Sequence, residues 1–401
     1  MSLSSTRLLL VAASALLPLA GCSKKAPDAA APASTPAATT AANPQVGGQD
    51  VVVLNRKATD PAKPEFLSAT VFPGRGMNLF QITANLPGKG VISVFASPSV
   101  ADAAAKLNGG PQDPGGTAST SFGGGFLVPY PNRILGPISP DGKTIAATWH
   151  GQTIQLPADW AGKNPGAPKH SIHGLILNAK TDGVKVSDTA DGQTVTGTIP
   201  AANFNGPWFG KTNLDFTIAL AGDSVTATIT ATNVGDTPEP MAIGWHPYFA
   251  IPSGDRTQAR LHIPADKMAV VNNYDDTFPT GQIVPVKGTK YDYTAPDGAA
   301  LGDNFLDDNF STLHRTDGAV DVTVTDPASH YGIHVLGLSP EIKTVQVYAP
   351  PTRQLIAVEE QFNFADPFGT EWKGMDTGMV TLAPGKSVTW KVKLALFTPK
   401  S

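Results

Sequence analysis

Ser224-Val225-Thr226-Ala227-Thr228-Ile229-Thr230-Ala231-Thr232-Asn233 alternates an apolar residue with a threonine along most of its length. Successive side chains of an extended chain point to opposite faces, so this segment reads as a strand with one buried and one wet face. A helix would scatter the same residues around its whole circumference. The stretch Leu214 to Leu220 precedes it, separated by Ala221-Gly222-Asp223, which reads as a hairpin turn. The same period of two recurs at Val320, Val322 and Val324, and at Val388, Trp390, Val392, Leu394 and Leu396. Val100 to Leu107 alone reads as helical. The 40 Gly and 36 Pro supply many turns and disfavour long helices. Many strands with turn signals between them predict an all-β chain, a large antiparallel sandwich or barrel. No composition break or short repeat divides residues 49–401, which are expected to form one domain.

The N-terminus has a different character. Arg7 precedes an apolar run from Leu8 to Leu19, then Ala20, Gly21 and Cys22, the layout of an exported signal peptide over residues 1–22. The run is too short to cross a hydrocarbon core of about 30 Å as a helix. Leu19-Ala20-Gly21-Cys22 resembles the bacterial lipobox, which predicts lipidation of Cys22; the other reading is an ordinary signal peptide that contains a cysteine. Several acyl chains on one residue would anchor it stably, at roughly 0.8 kcal/mol per buried CH₂. Residues 23–48 are Ala, Pro, Thr and Ser with almost no bulky apolar side chain, and are expected to be a disordered tether. Ser23 after the cysteine resembles an outer-membrane destination, so the expected location is the bacterial cell envelope, on the periplasmic face.

Cys22 is the only cysteine, which leaves no intramolecular disulfide and no thiol nucleophile. Formal net charge is −4 with both signs mixed, so nucleic acid is not an expected partner; a small uncharged molecule suits the balance better. The chain has no Gly-x-x-x-x-Gly-Lys-Ser/Thr, no Gly-x-Ser-x-Gly and no His-Glu-x-x-His. His330 and His334 lie in a strand-like segment, where four residues span roughly 13 Å, too far for one ion. No metal and no cofactor are predicted.

Four segments hold polar residues in unusual settings. Arg133 stands in Val128-Pro129-Tyr130-Pro131-Asn132-Arg133-Ile134, as a structural ion-pair partner or a ligand donor. Lys169-His170-Ser171-Ile172-His173-Gly174 reads as a loop entering an apolar run, its histidines structural or functional. In Gly244-Trp245-His246-Pro247-Tyr248-Phe249 the aromatic rings suit the C–H face of a sugar while imidazole reaches its oxygens, though one buried hydrogen bond would also account for His246. Glu359 ends the apolar run Leu355-Ile356-Ala357-Val358, either as a poorly solvated carboxylate of tunable basicity or as a strand-end group in solvent.

Together these segments resemble the aldose 1-epimerase (galactose mutarotase-like) family across most of residues 65–400. Pro73 to Phe95 is similar to its opening strands, Asn132-Arg133-Ile134 to its Asn-Arg-Ile, and His173-Gly174 to its His-Gly. Gly244 to Phe249 is similar to the segment holding the catalytic His. Pro279-Thr280-Gly281, Gly288-Thr289 and Asp292 follow a further family pattern. Leu306-Asp307-Asp308-Asn309-Phe310 resembles the sugar-binding Asp segment, with Asp308 the neighbouring alternative to Asp307. Glu359-x-Gln361 followed by Asp366 resembles the segment of the catalytic Glu.

The resemblance implies a single supersandwich of curved antiparallel sheets with a monosaccharide in a cleft on one face. It implies Glu359 as base and His246 as acid in opening and reclosing the sugar ring, with Asn132, Arg133, His173 and Asp307 holding the substrate. Trp245-His246-Pro247 departs from the Asn-His-Ser of galactose mutarotases toward a branch that includes hexose-6-phosphate epimerases. A phosphate would call for clustered Arg or Lys, and the motifs bring only Arg133. A carbohydrate-binding lipoprotein without turnover is the other alternative. The sugar and the oligomeric state stay open.

Overall fold

The computed structural model describes residues 43–206 and 208–399. The expected signal peptide, with Cys22, and the expected tether up to residue 42 lie outside the described residues. Residues 43–48, expected in the tether, belong to the same compact unit as the rest, Asn43–Ser401. Gln45–Val46 pairs with Gln49–Asp50, and Val46 is buried against Val51, Phe72 and Phe80.

Two large antiparallel sheets dominate. The first has nine strands, in the order Asp182–Thr189, Gly192–Ala202, Thr212–Leu220, Ser224–Asn233, Ser387–Phe397, Tyr331–Gly337, Val320–Asp326, Arg260–His262 and Ala299–Ala300. The expected hairpin forms its third and fourth strands, with Leu220 opposite Val225 and the Ala221 N–H donating to the Ser224 carbonyl at 2.8 Å. Val225, Ala227, Ile229 and Ala231 are buried while the intervening threonines are part-exposed, as the alternation requires. The second sheet has six strands, in the order Tyr248–Ala250, Leu355–Gln361, Thr344–Ala349, Leu306–Leu313, Ala265–Val271 and Pro279–Pro285. Strands Val52–Asn55, Glu65–Phe72, Asn78–Leu86 and Gly90–Ser93 form a third, smaller sheet.

The two large sheets share one core. Trp390 of the nine-stranded sheet donates its indole N–H to the Glu360 carbonyl of the six-stranded sheet at 2.9 Å. Its ring packs against Phe126 and Trp245, and Trp245 against Phe95. Truncating a buried residue of this kind to alanine costs about 3–5 kcal/mol.

The expected helix is present as Val100–Lys106, capped by the Ser99 hydroxyl accepting from the Asp102 N–H. A second, one-turn helix at Ser119–Phe122 was not expected from its polar sequence. The Lys169–Gly174 segment corrects the loop reading. Lys169–Ile172 is a strand, with Ser171 opposite Ile134 and Ile172 opposite Arg133.

Candidate active site

Three local devices bring the site together. The first is Pro247, which has no N–H to donate and so interrupts strand pairing. Gly244–His246 pairs with Gly125–Leu127, and after Pro247 the chain pairs instead, through Tyr248–Ala250, with Leu355–Ala357. His246 therefore sits where the chain changes partner, beside the strand of Glu359. The second is the pairing of Ile172 with Arg133, which sets His173 next to Asn132; the His173 N–H donates to the Asn132 carbonyl at 2.8 Å. Both residues have left-handed backbone, φ 60° and 62°, uncommon for non-glycine residues and concentrated at functional sites. Gly174 follows at φ 79°, and a β-carbon there would stand 2.4 Å from the Val128 carbonyl oxygen, so the position accepts only glycine. The third is the register of the six-stranded sheet, with Asp307 opposite Tyr348 and Gln346 opposite Glu359.

Asn132, Arg133, His173, His246, Asp307 and Glu359 all line one cavity of about 240 Å³. His246 Nε2 lies 3.5 Å from Glu359 Oε1. Glu359 is 2% exposed, which removes the alternative of a strand-end group in solvent. It stands inside strand Leu355–Gln361, and its Oε2 accepts from the Gln361 amide at 2.8 Å. Burial raises its carboxyl well above the ordinary range, and the nearby Asp307 carboxylate adds to this; the Gln361 bond and Arg133 oppose it. Burial also depresses His246, to about 4, helped by Arg353 and Arg133. His173 is held well below the ordinary imidazole value by burial, with neighbouring His246, Arg133 and His170 adding to the effect. Its ring meets that of His246 edge-on at 5.0 Å.

The opposing shifts have a chemical meaning. A buried carboxylate and a buried imidazolium are each costly alone, so the pair holds one proton between them over a wide pH span. That proton is on Glu359 when both groups are neutral and on His246 when both are charged. Groups poised in this way are suited to passing protons to and from a ligand.

A second network fixes the other side. Arg133 Nη1 and its backbone N–H both donate to Asn132 Oδ1, at 2.9 and 3.0 Å. The Asn132 amide donates to Gln346 Oε1 at 3.1 Å, and Gln346 Nε2 donates to Asp307 Oδ1 at 2.8 Å. Arg133 Nη2 comes within 3.9 Å of Asp307 Oδ2. Asp308 does not line the cavity. It is fully buried, accepts the Tyr274 hydroxyl at 3.0 Å, and is pushed up to about 6 by burial. Arg133 Nε, His173 Nδ1 and His246 Nδ1 are buried with no partner among the described residues. Unsatisfied buried polar atoms are uncommon, and a ligand rich in hydroxyls would satisfy such groups.

Sequence reasoning missed several cleft residues. Gln346 could have been found, as the polar residue between two buried valines in Thr344-Val345-Gln346-Val347-Tyr348. Lys163 and Arg353 also line the cavity, which corrects the expectation that Arg133 is its only cation. The Arg353 guanidinium lies 5.0 Å from the centre of the Tyr248 ring, and Lys163 Nζ 5.5 Å from that of Phe305. Neither cation pairs with a carboxylate among the described residues.

The sequence profile of the aldose 1-epimerase family matches residues 109–395. No curated protein sequence matches the chain. Among solved structures, a galactose mutarotase-like protein from Clostridium acetobutylicum aligns with 87% of this chain and 99% of its own at TM-score 0.65 and 17% identity. A galactose 1-epimerase from Lactobacillus acidophilus aligns over 88% and 99%, at TM-score 0.60 and 17% identity. An aldose epimerase homologue from C. elegans aligns over 83% and 96%, at TM-score 0.62 and 17% identity. At these identities the structural likeness speaks for the fold, which is the mutarotase-like β-sandwich.

Proposed function

The chain belongs to the aldose 1-epimerase family, and we propose that it interconverts the α and β anomers of an aldose by general acid–base ring opening and closure. The observation that carries this is the buried His246–Glu359 pair, 3.5 Å apart in a cleft of monosaccharide scale. In the charged form of the pair, Glu359 takes the proton of the C1 hydroxyl while His246 gives one to the ring oxygen. The C1–O5 bond breaks, C1 becomes an aldehyde, and the pair is left in its neutral form. After rotation about C1–C2 the ring oxygen attacks the other aldehyde face and both protons return. The two forms differ only in where one proton sits, so the cycle needs no exchange with solvent. General acid–base catalysis supplies typically 10²–10⁴-fold, enough for a reaction that already proceeds slowly in water. Arg133, His173, Asp307 and Asn132 would orient the sugar hydroxyls by charge-assisted bonds.

The test is anomer exchange of freshly dissolved α-glucose, α-galactose and a pentose, followed by polarimetry or proton NMR. Acceleration above the spontaneous rate is expected. Sugar binding without acceleration would leave a carbohydrate-binding protein that lacks turnover. A second reading, an aldose carrying a phosphate or carboxylate, draws support from Arg353 and Lys163, cations at the cleft without carboxylate partners. Under it, Arg353→Gln lowers kcat/KM for the anionic aldose about tenfold and spares the neutral one, the scale of one lost charged hydrogen bond.

Export and lipid anchoring at Cys22 are part of the proposal, supported by the sequence of residues 1–22. Labelled fatty acid should be incorporated by the wild type and not by Cys22→Ser; equal labelling of both would exclude Cys22 as the acceptor.

A further inference from the structure

Ser121 and Trp160 line the cleft of the His246–Glu359 pair, and both also line a second, larger cavity of about 670 Å³. Trp160 is 37% exposed, unlike the buried tryptophans of the core. It is not on a loose loop, because strand Trp160–Ala161 pairs with Lys169–His170, the start of the strand that delivers His173. The second cavity continues from Trp160 past Phe122 to Lys106 and Gln112. Gln112 and Ser121 are exposed and make no side-chain hydrogen bond among the described residues. Lys106 makes no ion pair there; its ammonium lies 5.7 Å from the centre of the Phe122 ring. Aromatic surface with scattered, uncommitted hydrogen-bonding groups matches a pyranose, which has apolar C–H faces and a rim of hydroxyls.

We propose that this cavity is a second sugar subsite, so that the substrate is a reducing di- or oligosaccharide. The reducing unit, whose C1 reacts, occupies the first cleft, and the glycosidically linked unit lies in the second cavity against Trp160. This rests on the anomer-exchange reading for turnover, but the binding claim stands apart from it. A free monosaccharide leaves the second cavity unused, so a disaccharide gains contacts that a monosaccharide does not have.

The experiment compares glucose with maltose, cellobiose and lactose on the purified chain, by NMR-followed exchange and by calorimetric affinity. At least one disaccharide should exceed glucose about tenfold or more in kcat/KM and in affinity, the range one well-packed apolar contact gives. Trp160→Ala and, separately, the surface change Gln112→Ala should each bring the disaccharide-to-glucose ratio toward one. Using a ratio keeps the test valid if a variant also loses overall activity. Glucose exchange with a wild-type ratio of one or less overturns the subsite and leaves the epimerase reading intact. A disaccharide preference untouched by both substitutions also overturns it. Absence of exchange, with a Trp160-dependent disaccharide affinity, overturns the epimerase reading and keeps the subsite.

Discussion

Replacing Glu359 by glutamine should lower activity and raise stability at the same time. The amide has the same shape, and its oxygen keeps the 2.8 Å bond from Gln361. Its NH₂ can donate to His246 Nε2, 3.5 Å from the present carboxyl oxygen. What disappears is the base. Anomer exchange should fall by about 10²–10⁴-fold, which is about 3–5 kcal/mol of barrier at 1.36 kcal/mol per decade. Sugar affinity should change little, because Arg133, His173 and Asp307 remain. Stability moves the other way. Burial raises the folded-state pKa of Glu359 above its unfolded value, so the folded protein binds the proton more tightly than the unfolded chain. The linkage then runs downward with pH: stability is intact below the unfolded pKa and is lost as pH rises toward the folded pKa. Glutamine carries no such penalty. At pH 8 the variant should gain about 0.5–2 kcal/mol, the usual range for a stabilising substitution, seen as a Tm higher by roughly 1–3 °C for a domain of this size. At pH 4 the gain should vanish. Calorimetric scans of both proteins at the two pH values, beside polarimetry at pH 7, make the measurement. A variant that loses activity and also loses several degrees of Tm at both pH values would refute the reasoning and make Glu359 a structural residue.

Three further outcomes follow from the same geometry. The pH profile of kcat/KM should be bell-shaped: the pair takes a second proton as pH falls through about 4, where burial and the neighbouring arginines place His246, and it loses its shared proton on the alkaline side as Glu359 ionises; a flat profile down to pH 3 in folded protein would exclude the pair. Gln346→Leu should raise KM about tenfold with a smaller change in kcat, because it orphans Asp307 Oδ1 and the Asn132 amide at about 1–3 kcal/mol each, as steady-state kinetics would show. Gly174→Ala should cost about 1–3 kcal/mol in denaturant unfolding, since the new methyl meets the Val128 carbonyl at 2.4 Å, and should depress exchange by displacing His173.

How much of this was legible in the sequence depended on whether the cause was local. The alternation in Ser224–Asn233 and the turn at Ala221-Gly222-Asp223 are encoded within a few residues, and both stand in the structure as read. The helix Val100–Lys106 likewise carries its own cap in Ser99. The strand Lys169–Ile172 was not legible, because its evidence is a partner, Arg133–Ile134, far away in sequence. The six candidate residues converge on one cavity, yet the cavity's other members are there for reasons that no local pattern holds. Lys163 and Arg353 reach it from turns between strands, and Gln346 matters because its strand lies between those of Asp307 and Glu359. Pro247 was visible in the sequence, but its effect, a change of strand partner beside His246, appears only once both partners are known.

The adjacent pair Glu359 and Glu360 shows how finely the site depends on register. Both are buried, and burial raises both carboxyls well above the ordinary range. Successive side chains of a strand leave on opposite faces. Glu359 shares its face with Gln361, two residues on, whose amide it accepts, and with the cleft. Glu360 points the other way, toward the nine-stranded sheet, where a β-carbon on Gly337 would meet its Oε2 at 2.5 Å. Neither of its carboxyl oxygens has a hydrogen-bond partner among the described residues. Such a group is stable only as the neutral acid and has no ligand to serve. The two glutamates are chemically identical, so their different fates come from the pleat alone. A slip of one residue in strand Leu355–Gln361 would present Glu360 to His246 and turn Glu359 toward the nine-stranded sheet. The pairing of Gln346 with Glu359, Val347 with Val358 and Tyr348 with Ala357 prevents that slip, since it would also turn Val358 out of the core. The apolar alternation that makes the sheet is therefore also what selects the carboxylate that faces the cleft.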